Sequence, residues 1–363
     1  MTTLADEEER FMARALELAA RGQGFVEPNP MVGCVLVQGS RIVGEGWHAE
    51  FGGPHAEIVA LQHARMEAVG ATAYVTLEPC SHHGKTPPCT KALLHARVAR
   101  VVAAMEDPFP PVDGSGIEEL KAAGVECSLG TLRDQAQRLN APYLKRLLTG
   151  RPWVIAKWAM TRDGMLALAD GSRWISNERS RAVVQQLRGR VDAIVVGSGT
   201  ARLDDPLLTA RPADPNDVRR TAVRVVVDSA ASLALKSRLV RTAADVPVLV
   251  AVAADASVDK CRQLAAAGVD VFPCAGATHA ARFESLLDEL GRRRMTNVLV
   301  EGGSRLLRAL CDADLFDELH VFTAPKNAGD KTIAAPRGVL ERLVDPVTTD
   351  LDGDQYVHGR VRH

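Results

Sequence analysis

His55-Ala56-Glu57, Pro79-Cys80 and Cys89 combine one imidazole and two thiols with a carboxylate two positions beyond the imidazole. Imidazole and thiolate are the ligands Zn²⁺ selects, and three of them leave a fourth coordination position for water. Zinc lowers the pKa of such a water from 15.7 to roughly 7. Glu57, beside the metal without ligating it, can then shuttle the proton. This is the chemistry of hydrolytic deamination of an amino-heterocycle. The zinc deaminase pattern His-x-Glu then Pro-Cys-x-x-Cys is met in its first part, whereas eight residues, Ser81-His82-His83-Gly84-Lys85-Thr86-Pro87-Pro88, separate the two cysteines here. They read as a polar, kinked loop able to reach over a ligand while Cys89 returns to the metal. The alternatives are no metal, or a closed structural zinc with His82, His83 or His48 as fourth ligand; the structural site leaves Glu57 without a task.

Further along, two apolar runs end in glycines: Ile194-Val195-Val196-Gly197-Ser198-Gly199-Thr200 and Val298-Leu299-Val300-Glu301-Gly302-Gly303-Ser304. The second feeds a helix from Arg305 to Leu310, so its free N–H groups suit an anion such as a pyrophosphate. A capping turn with no ligand is the plain alternative for either. A Rossmann fingerprint after Gly197-x-Gly199 needs a small residue where Arg202 stands, and Asp204-Asp205-Pro206 follows in place of a helix. A nicotinamide cofactor bound here therefore requires a different fold.

The elements that must position these groups can be read from periodicity. Phe11, Ala15, Leu18 and Ala19 share one helix face that Gly22 closes. Residues 31–37 and 41–47 read as a hairpin, and His55 opens a helix that stops at Gly70. Strand 73–77 leads directly into Glu78-Pro79-Cys80, so the ligands come from the starts of two helices, whose dipoles favour the thiolate form of Cys80 and Cys89. Strand 99–104, a helix near 116–123, strand 125–128 and a helix at 131–148 complete an α/β layer structure. Thr149-Gly150-Arg151-Pro152 is a turn-rich break, giving domains at 1–148 and 149–363. In the second, 153–160, 192–197, 223–228, 247–252, 269–272 and 297–301 are the strand candidates.

A chain of 363 residues exceeds what one core comfortably fills, and 46% hydrophobic with 25% charged residues reads as soluble and globular. Lys+Arg 44 against Asp+Glu 45, a net charge of −1 with no basic tract, argues against a nucleic-acid substrate and for a small molecule. Seven irregularly spaced cysteines fit a reducing compartment, and Cys34, Cys127, Cys261, Cys274 and Cys311 read as inert thiols. The acidic start Asp6-Glu7-Glu8-Glu9 is unlike a signal peptide and no apolar run approaches spanning length, so a cytoplasmic location and no membrane partner are expected.

Taken together, Pro28-Asn29-Pro30-Met31-Val32-Gly33-Cys34, Gly52-Gly53-Pro54-His55-Ala56-Glu57 and the run Ala73 to Cys89 resemble the family of bifunctional riboflavin biosynthesis deaminase/reductases. So do Gly171-Ser172-Arg173-Trp174-Ile175-Ser176, Asp204-Asp205-Pro206-Leu207-Leu208-Thr209-Ala210-Arg211 and Glu301-Gly302-Gly303-Ser304 in the second half. The resemblance spans nearly the whole chain, and the long loop between Cys80 and Cys89 is characteristic of the family.

The resemblance implies an N-terminal cytidine-deaminase-like three-layer α/β/α domain and a C-terminal dihydrofolate-reductase-like α/β domain. The first would use Zn²⁺ to remove the 2-amino group of 2,5-diamino-6-ribosylamino-4(3H)-pyrimidinone 5′-phosphate, with Glu57 as the catalytic acid/base and His55, Cys80 and Cys89 on the metal. Asn29, His48, His82, Lys85 and Asp107 would contact that substrate, Lys85 at its phosphate or ribose. The second would use NADPH to reduce the ribosyl side chain to ribityl. Lys157 and Glu301 match family residues near the ribose; Arg188 and Arg211 are phosphate candidates with Ser172 and Leu208 beside them, although Arg181 and Arg188 also fit a solvated helix face. On the cofactor side the resemblance points to Ala159, Trp174, Thr200, Asp204, Ser229, Gly303 and Ser304. The family also implies a homo-oligomer. One departure is Thr161-Arg162-Asp163-Gly164, where the family commonly carries Leu in place of Arg162, which puts the local packing or the cofactor-side contacts of the reductase in question. A deaminase with an inactive nucleotide-binding second domain, a polynucleotide base deaminase and a zinc-stabilised binding protein are the competing readings.

Overall fold

Cys34-Val35-Leu36-Val37 sends alternate side chains into two apolar layers, and that period of two builds the first sheet. The computed structural model describes residues 4–82, 87–110, 112–167, 174–215, 218–330 and 333–362. The chain divides into two compact units, Met1–Thr149 and Gly150–His363. Among the described residues no helix is long and apolar enough to cross a membrane.

The first unit runs α1 (Leu4–Ala20), β1 (Gly33–Gln38), β2 (Arg41–Trp47), α2 (Ala56–Ala64), β3 (Thr72–Val75), α3 (Cys89–His95), β4 (Arg100–Ala103), α4 (Ser115–Ala122), β5 (Glu126–Leu129), α5 (Arg133–Leu139) and α6 (Ala141–Thr149). Its sheet among the described residues has the order β2-β1-β3-β4-β5. β1 is antiparallel to β2 and β3, and β3, β4 and β5 are parallel. Val35 and Val37 pack with Phe11, Met12 and Leu18 of α1, while Cys34 and Leu36 pack with Ala56 and Ala60 of α2, Leu93 of α3 and Leu120 of α4. Helices on both faces make the three-layer α/β/α arrangement.

The helix opened by His55 runs only to Ala64 before a 3₁₀ turn over Arg65–Ala68, and two further departures from the periodicity meet at one residue. The helix expected over 131–148 is broken at Asn140, a buried residue whose Oδ1 accepts the Met31 N–H at 2.8 Å and whose Nδ2 donates to the Met31 carbonyl at 2.9 Å. That amide occupies the main-chain groups of Met31 that a strand neighbour would otherwise use. β1 consequently begins at Gly33 and not at 31.

The second unit runs β6 (Trp153–Thr161), α7 (Glu178–Arg188), β7 (Ala193–Gly197), α8 (Ser198–Asp204), β8 (Val223–Val227), α9 (Arg238–Arg241), β9 (Val248–Ala253), α10 (Val258–Ala266), β10 (Asp270–Cys274), α11 (His279–Arg292), β11 (Asn297–Glu301), α12 (Ser304–Asp312), β12 (Glu318–Ala324), β13 (Leu343–Leu351) and β14 (Asp354–Val361). Its sheet has the order β10-β9-β8-β7-β11-β6-β12-β14-β13 among the described residues. Neighbours are parallel from β10 to β12, then β14 and β13 close the edge as an antiparallel hairpin. Val154, Ala156 and Trp158 face Leu286, Leu290 and Leu307, whereas Ile155 and Leu299 face Leu187, Ala201 and Leu239. Each Leu fully withdrawn from water contributes roughly 1.5–3 kcal/mol, so both faces of the central strands are strongly specified. The same parity turns Lys157 and Glu301 toward the α7 side.

The expectation that no helix follows Gly197 is corrected: α8 starts at Ser198. It lasts only to Asp204, because Asp205 adopts a left-handed conformation (φ 37°) ahead of Pro206.

Candidate active site

In the first unit the fold draws three ligand atoms together. His55 is the N-cap of α2, Cys89 is the first residue of α3, and Cys80 stands in the irregular run between β3 and α3. His55 Nδ1 lies 3.2 Å from Cys89 Sγ and 3.5 Å from Cys80 Sγ, and the three ligand atoms all lie within 4.8 Å of one another. Two of the three ligands, not all, are at helix starts; Cys80 instead receives the Cys89 N–H at 3.4 Å. Among the described residues this is the one cluster of His, Cys, Asp or Glu fit to hold a metal ion. An imidazole and two thiols at that separation suit zinc with an open position.

The electrostatics of the cluster follow from crowding two thiols and a carboxylate. Cys80 is lowered to about 4, first by the hydrogen bond from Cys89, with His55 and the Cys89 N–H adding to it against burial. Cys89 is pushed up by that same bond and by burial. The helix-start argument for two thiolates is not met: the thiolate is favoured at Cys80, away from a helix start, and not at Cys89, because adjacent thiols share a proton; a coordinating thiol is deprotonated outright when a divalent cation is present. Glu57, 3% exposed, is raised to about 7 by burial first and by the charge of Cys80 second. A carboxyl so placed can hold or release a proton near neutrality.

The second unit has its own buried charge cluster. Register sets Glu301 of β11 opposite Lys157 of β6. From α7, Arg188 Nε and Nη2 donate to Glu301 Oε1 and Oε2 at 2.6 and 2.8 Å, a bidentate pair. Burial would raise the Glu301 carboxyl, yet Arg188 and Lys157 bring it below its ordinary value. Burial lowers Lys157, with Glu301 opposing. A lysine easier to deprotonate than usual thus adjoins an ion pair on the sheet face under α7.

Two family models divide the chain along similar lines. A cytidine and deoxycytidylate deaminase zinc-binding region matches residues 5–105, and a RibD C-terminal domain matches residues 152–357. The Riboflavin biosynthesis protein RibD of Escherichia coli (strain K12) is 40% identical over 374 residues, covering 98% of this chain and 96% of that protein. The chain belongs to the RibD family. The RibD of Actinobacillus pleuropneumoniae is likewise 40% identical, over 90% of this chain and 86% of its own. The structure of Acinetobacter baumannii RibD, form 1, superposes with a TM-score of 0.83 at 34% identity, over 99% of this chain and all of that one. The Thermotoga maritima diaminohydroxyphosphoribosylaminopyrimidine deaminase/5-amino-6-(5-phosphoribosylamino)uracil reductase gives 0.82 at 33% identity, with the same coverage. The fold is accordingly a cytidine-deaminase-like unit followed by a dihydrofolate-reductase-like unit, and the RibD family to which it belongs joins a deaminase zinc-binding domain to a reductase domain.

Around the RibD zinc cluster, Asn29 and His48 act as a pair. His48 Nδ1 lies 3.0 Å from the Pro54 carbonyl, which only accepts, so Nδ1 carries the hydrogen and Nε2 accepts from Asn29 Nδ2 at 3.2 Å. The His48 ring is 3% exposed and sits edge-on to His55 at 5.6 Å; burial lowers its pKa. The His82 ring packs against Phe109 at 5.8 Å, and its Nδ1 is buried without a hydrogen-bond partner among the described residues. Asp107 is buried and accepts from Phe109 N–H at 3.1 Å and from Tyr143 Oη–H at 2.9 Å. Lys85 lies outside the described residues, as does Ser172 on the reductase side.

The residues expected at the reductase site divide between those brought together and those that lie elsewhere. Lys157, Arg188 and Glu301 converge, but the fork expected to bind phosphate at Arg188 is engaged by Glu301. Leu208 is 2% exposed and its side chain packs in the core. Arg211 is exposed on the following stretch, its N–H donating to Gln185 Oε1 at 2.8 Å. Ala159 continues the Lys157 face of β6 and is half-buried. Trp174 is 54% exposed, with the Arg181 guanidinium 5.0 Å over its ring. Thr200 of α8 approaches the glycine turn before α12: a Cβ on Gly303 would stand 3.2 Å from Thr200 Oγ1, and Gly302 has φ +130°. Gly303 is the N-cap of α12 and Ser304 its first residue. Asp204 ends α8 in an exposed position, and half-buried Ser229 accepts the Ala253 N–H at 3.1 Å. Arg162 is exposed, and its turn closes through Gly164 N–H to the Thr161 carbonyl at 2.9 Å with Asp163 accepting the Ala328 N–H, so the arginine burdens no packing.

Tyr143 was invisible to motif reasoning. It lies on α6, far in sequence from Asp107, and its position on an amphipathic helix marks it only as a core residue.

Proposed function

We propose that this RibD family member catalyses two successive steps: hydrolytic deamination of 2,5-diamino-6-ribosylamino-4(3H)-pyrimidinone 5′-phosphate in the first unit, then NADPH-dependent reduction of its ribosyl group to ribityl in the second. The observation that carries the reading is the convergence of His55, Cys80 and Cys89 beside buried Glu57 in a chain whose other half matches the RibD C-terminal domain. Zinc held by those three ligands would supply Lewis-acid activation of water at neutral pH. Glu57 takes one proton from the attacking water and gives it to a ring nitrogen, then takes the second proton from that same oxygen in the tetrahedral adduct and gives it to the amino group, which leaves as ammonia. The Asn29–His48 pair leaves Asn29 Oδ1 as an acceptor for a ring or amino N–H, while Asp107 offers a fixed carboxylate.

For the second step, the Gly302-Gly303 turn at the start of α12 leaves room for a phosphate to approach free N–H groups, which suits a dinucleotide. Thr200, Ser304 and Ser229 are the polar residues that would hold it, with Trp174, Asp204 and Ala159 as the further candidates; NADPH bound there would supply hydride. Lys157 and Glu301 would act at the sugar, the lysine protonating the ribose oxygen as the ring opens and Arg188 keeping Glu301 ionised. Arg211 remains the candidate for the phosphate of the substrate. A net charge of −1 supports a small-molecule substrate, and seven unpaired cysteines support a reducing, cytoplasmic setting. Assembly as a homo-oligomer follows the family resemblance.

Replacing Glu57 with Gln tests the assignment. Zinc is expected to remain at one per chain while deamination falls by about 10²–10⁴-fold, the usual worth of a general acid/base. Deamination at the wild-type rate in that variant would remove the carboxylate from the mechanism.

A further inference from the structure

Glu78 stands two residues before Cys80, and its side chain is buried at 3% exposure. The polar contacts of its carboxylate are with main chain. The N–H groups of Gly116 and Ile117 donate to Oε1 at 2.8 and 3.0 Å, and those of Gly114 and Asp107 donate to Oε2 at 3.0 and 3.3 Å. A buried carboxylate is costly unless its lone pairs are filled, and four N–H donors with the positive end of α4 fill them. The Glu78 side chain therefore ties the first turn of α4 to the strand end that leads into Cys80. Gly116 allows the closest approach, since a Cβ there would fall 2.0 Å from the Pro79 carbonyl oxygen. Ser81 Oγ and Ser115 Oγ add a bond of 2.6 Å on the other side of Cys80.

The same helix also grips the segment that carries the second thiol. Thr90, next to Cys89 and fully buried, donates its hydroxyl to Glu119 Oε2 of α4 at 2.6 Å. Lys91 Nζ pairs with the other Glu119 oxygen at 2.5 Å. One rigid element is thus bonded to both cysteine-bearing segments, which also bond to each other through the Cys89 N–H to Cys80 Sγ at 3.4 Å and the Thr90 N–H to the Cys80 carbonyl at 3.2 Å. We infer that α4 is the back-plate that sets the spacing of the two thiol ligands, and that Glu78 and, through Thr90, Glu119 are positioning residues for metal retention. The role is one step removed from the ligands, as supporting shells of metal sites act. It rests on the reading of His55, Cys80 and Cys89 as a zinc site.

The test measures zinc affinity by chelator competition, and the absorption of the cobalt-substituted protein, for the wild-type full-length chain, Glu78→Gln and Thr90→Val. Gln keeps the shape of Glu78 but turns an amide donor toward two N–H donors; Val keeps the shape of Thr90 and removes one bond. Affinity is expected to fall by about 10–100-fold in Glu78→Gln and by less in Thr90→Val, following the usual cost of losing a supporting partner, with a weakened thiolate-to-cobalt band in both. Equal affinity and identical cobalt spectra in correctly folded variants would overturn the back-plate role. Should Glu78→Gln fail to fold, Thr90→Val decides alone. Absence of stoichiometric zinc in the wild-type protein would overturn the zinc reading itself, a separate outcome.

Discussion

The two sites of this RibD family member are built in opposite ways. In the first unit the reactive groups lie in one stretch of chain, His55 and Cys89 only 34 positions apart, each at a helix start that a local motif announces. In the second unit Arg188 and Glu301 are 113 positions apart, and they meet Lys157 only because β11 and β6 pair in a particular register. A metal site can be assembled from loops and caps, since the ligands' own bonds to the metal complete the geometry. A charge cluster under a helix has no such keystone and depends on the sheet for its precision.

That contrast can be broken most forcefully at the metal. Removing zinc with a chelator is expected to abolish deamination, while reduction of supplied deaminated substrate continues at its full rate. Assay of both reactions before and after chelation, then after zinc is restored, checks it; parallel loss of both would mean that the two sites are not separable in this way. Next in size is Arg188→Met. Leaving Glu301 buried without its bidentate partner should destabilise the second unit by about 3–5 kcal/mol, read as a lowered denaturant midpoint followed by a probe in that unit.

A smaller effect is expected in acid. Burial pushes the Glu318 carboxyl upward, but His320, Arg190 and Trp153 hold it down at about 2, against an unfolded value of roughly 4.3. A depressed folded pKa stabilises above the unfolded value, and that contribution disappears as pH falls through the folded one. The stability difference between wild type and Glu318→Gln should therefore be constant above about pH 5 and shrink between about pH 4 and 2, measured by urea unfolding at a series of pH values. The smallest effect is assigned to Arg162→Leu. The side chain is exposed and its turn is closed by main-chain bonds, so stability should change by no more than about 0.5 kcal/mol and reductase turnover should be unaltered. A marked gain in turnover would show that Arg162 burdens the reductase after all.

What could be read from sequence follows the same division. The clustering of His55, Cys80 and Cys89 beside Glu57 and the strands lined by continuous Val and Ile were legible because their signals are local. β12 was not, because half-buried Glu318 and buried His320 stand in its sequence, where their polarity breaks the apolar run; the hydrogen bonds that His320 makes with Glu318 and Tyr356, at 2.7 and 2.6 Å, make its burial tolerable. The break at Asn140 was hidden for a similar reason, since nothing near it in sequence shows that its amide serves Met31. That the Leu208 side chain packs in the core and that Arg188 pairs with Glu301 are tertiary facts with no local signal in the sequence. Glu78 was visible in the motif as part of Glu-Pro-Cys, but its four main-chain donors come from Asp107 and the start of α4, about 30 to 40 positions away.

The central claim is that both reactions reside on this one chain. Its most direct test is mass spectrometry of the products formed from 2,5-diamino-6-ribosylamino-4(3H)-pyrimidinone 5′-phosphate by zinc-loaded protein, with and without NADPH. Deaminated product alone without the cofactor, and deaminated, reduced product with it, is the predicted result. Deamination in both tubes with no reduction would contradict the second activity, and no deamination in either would contradict the account at its root.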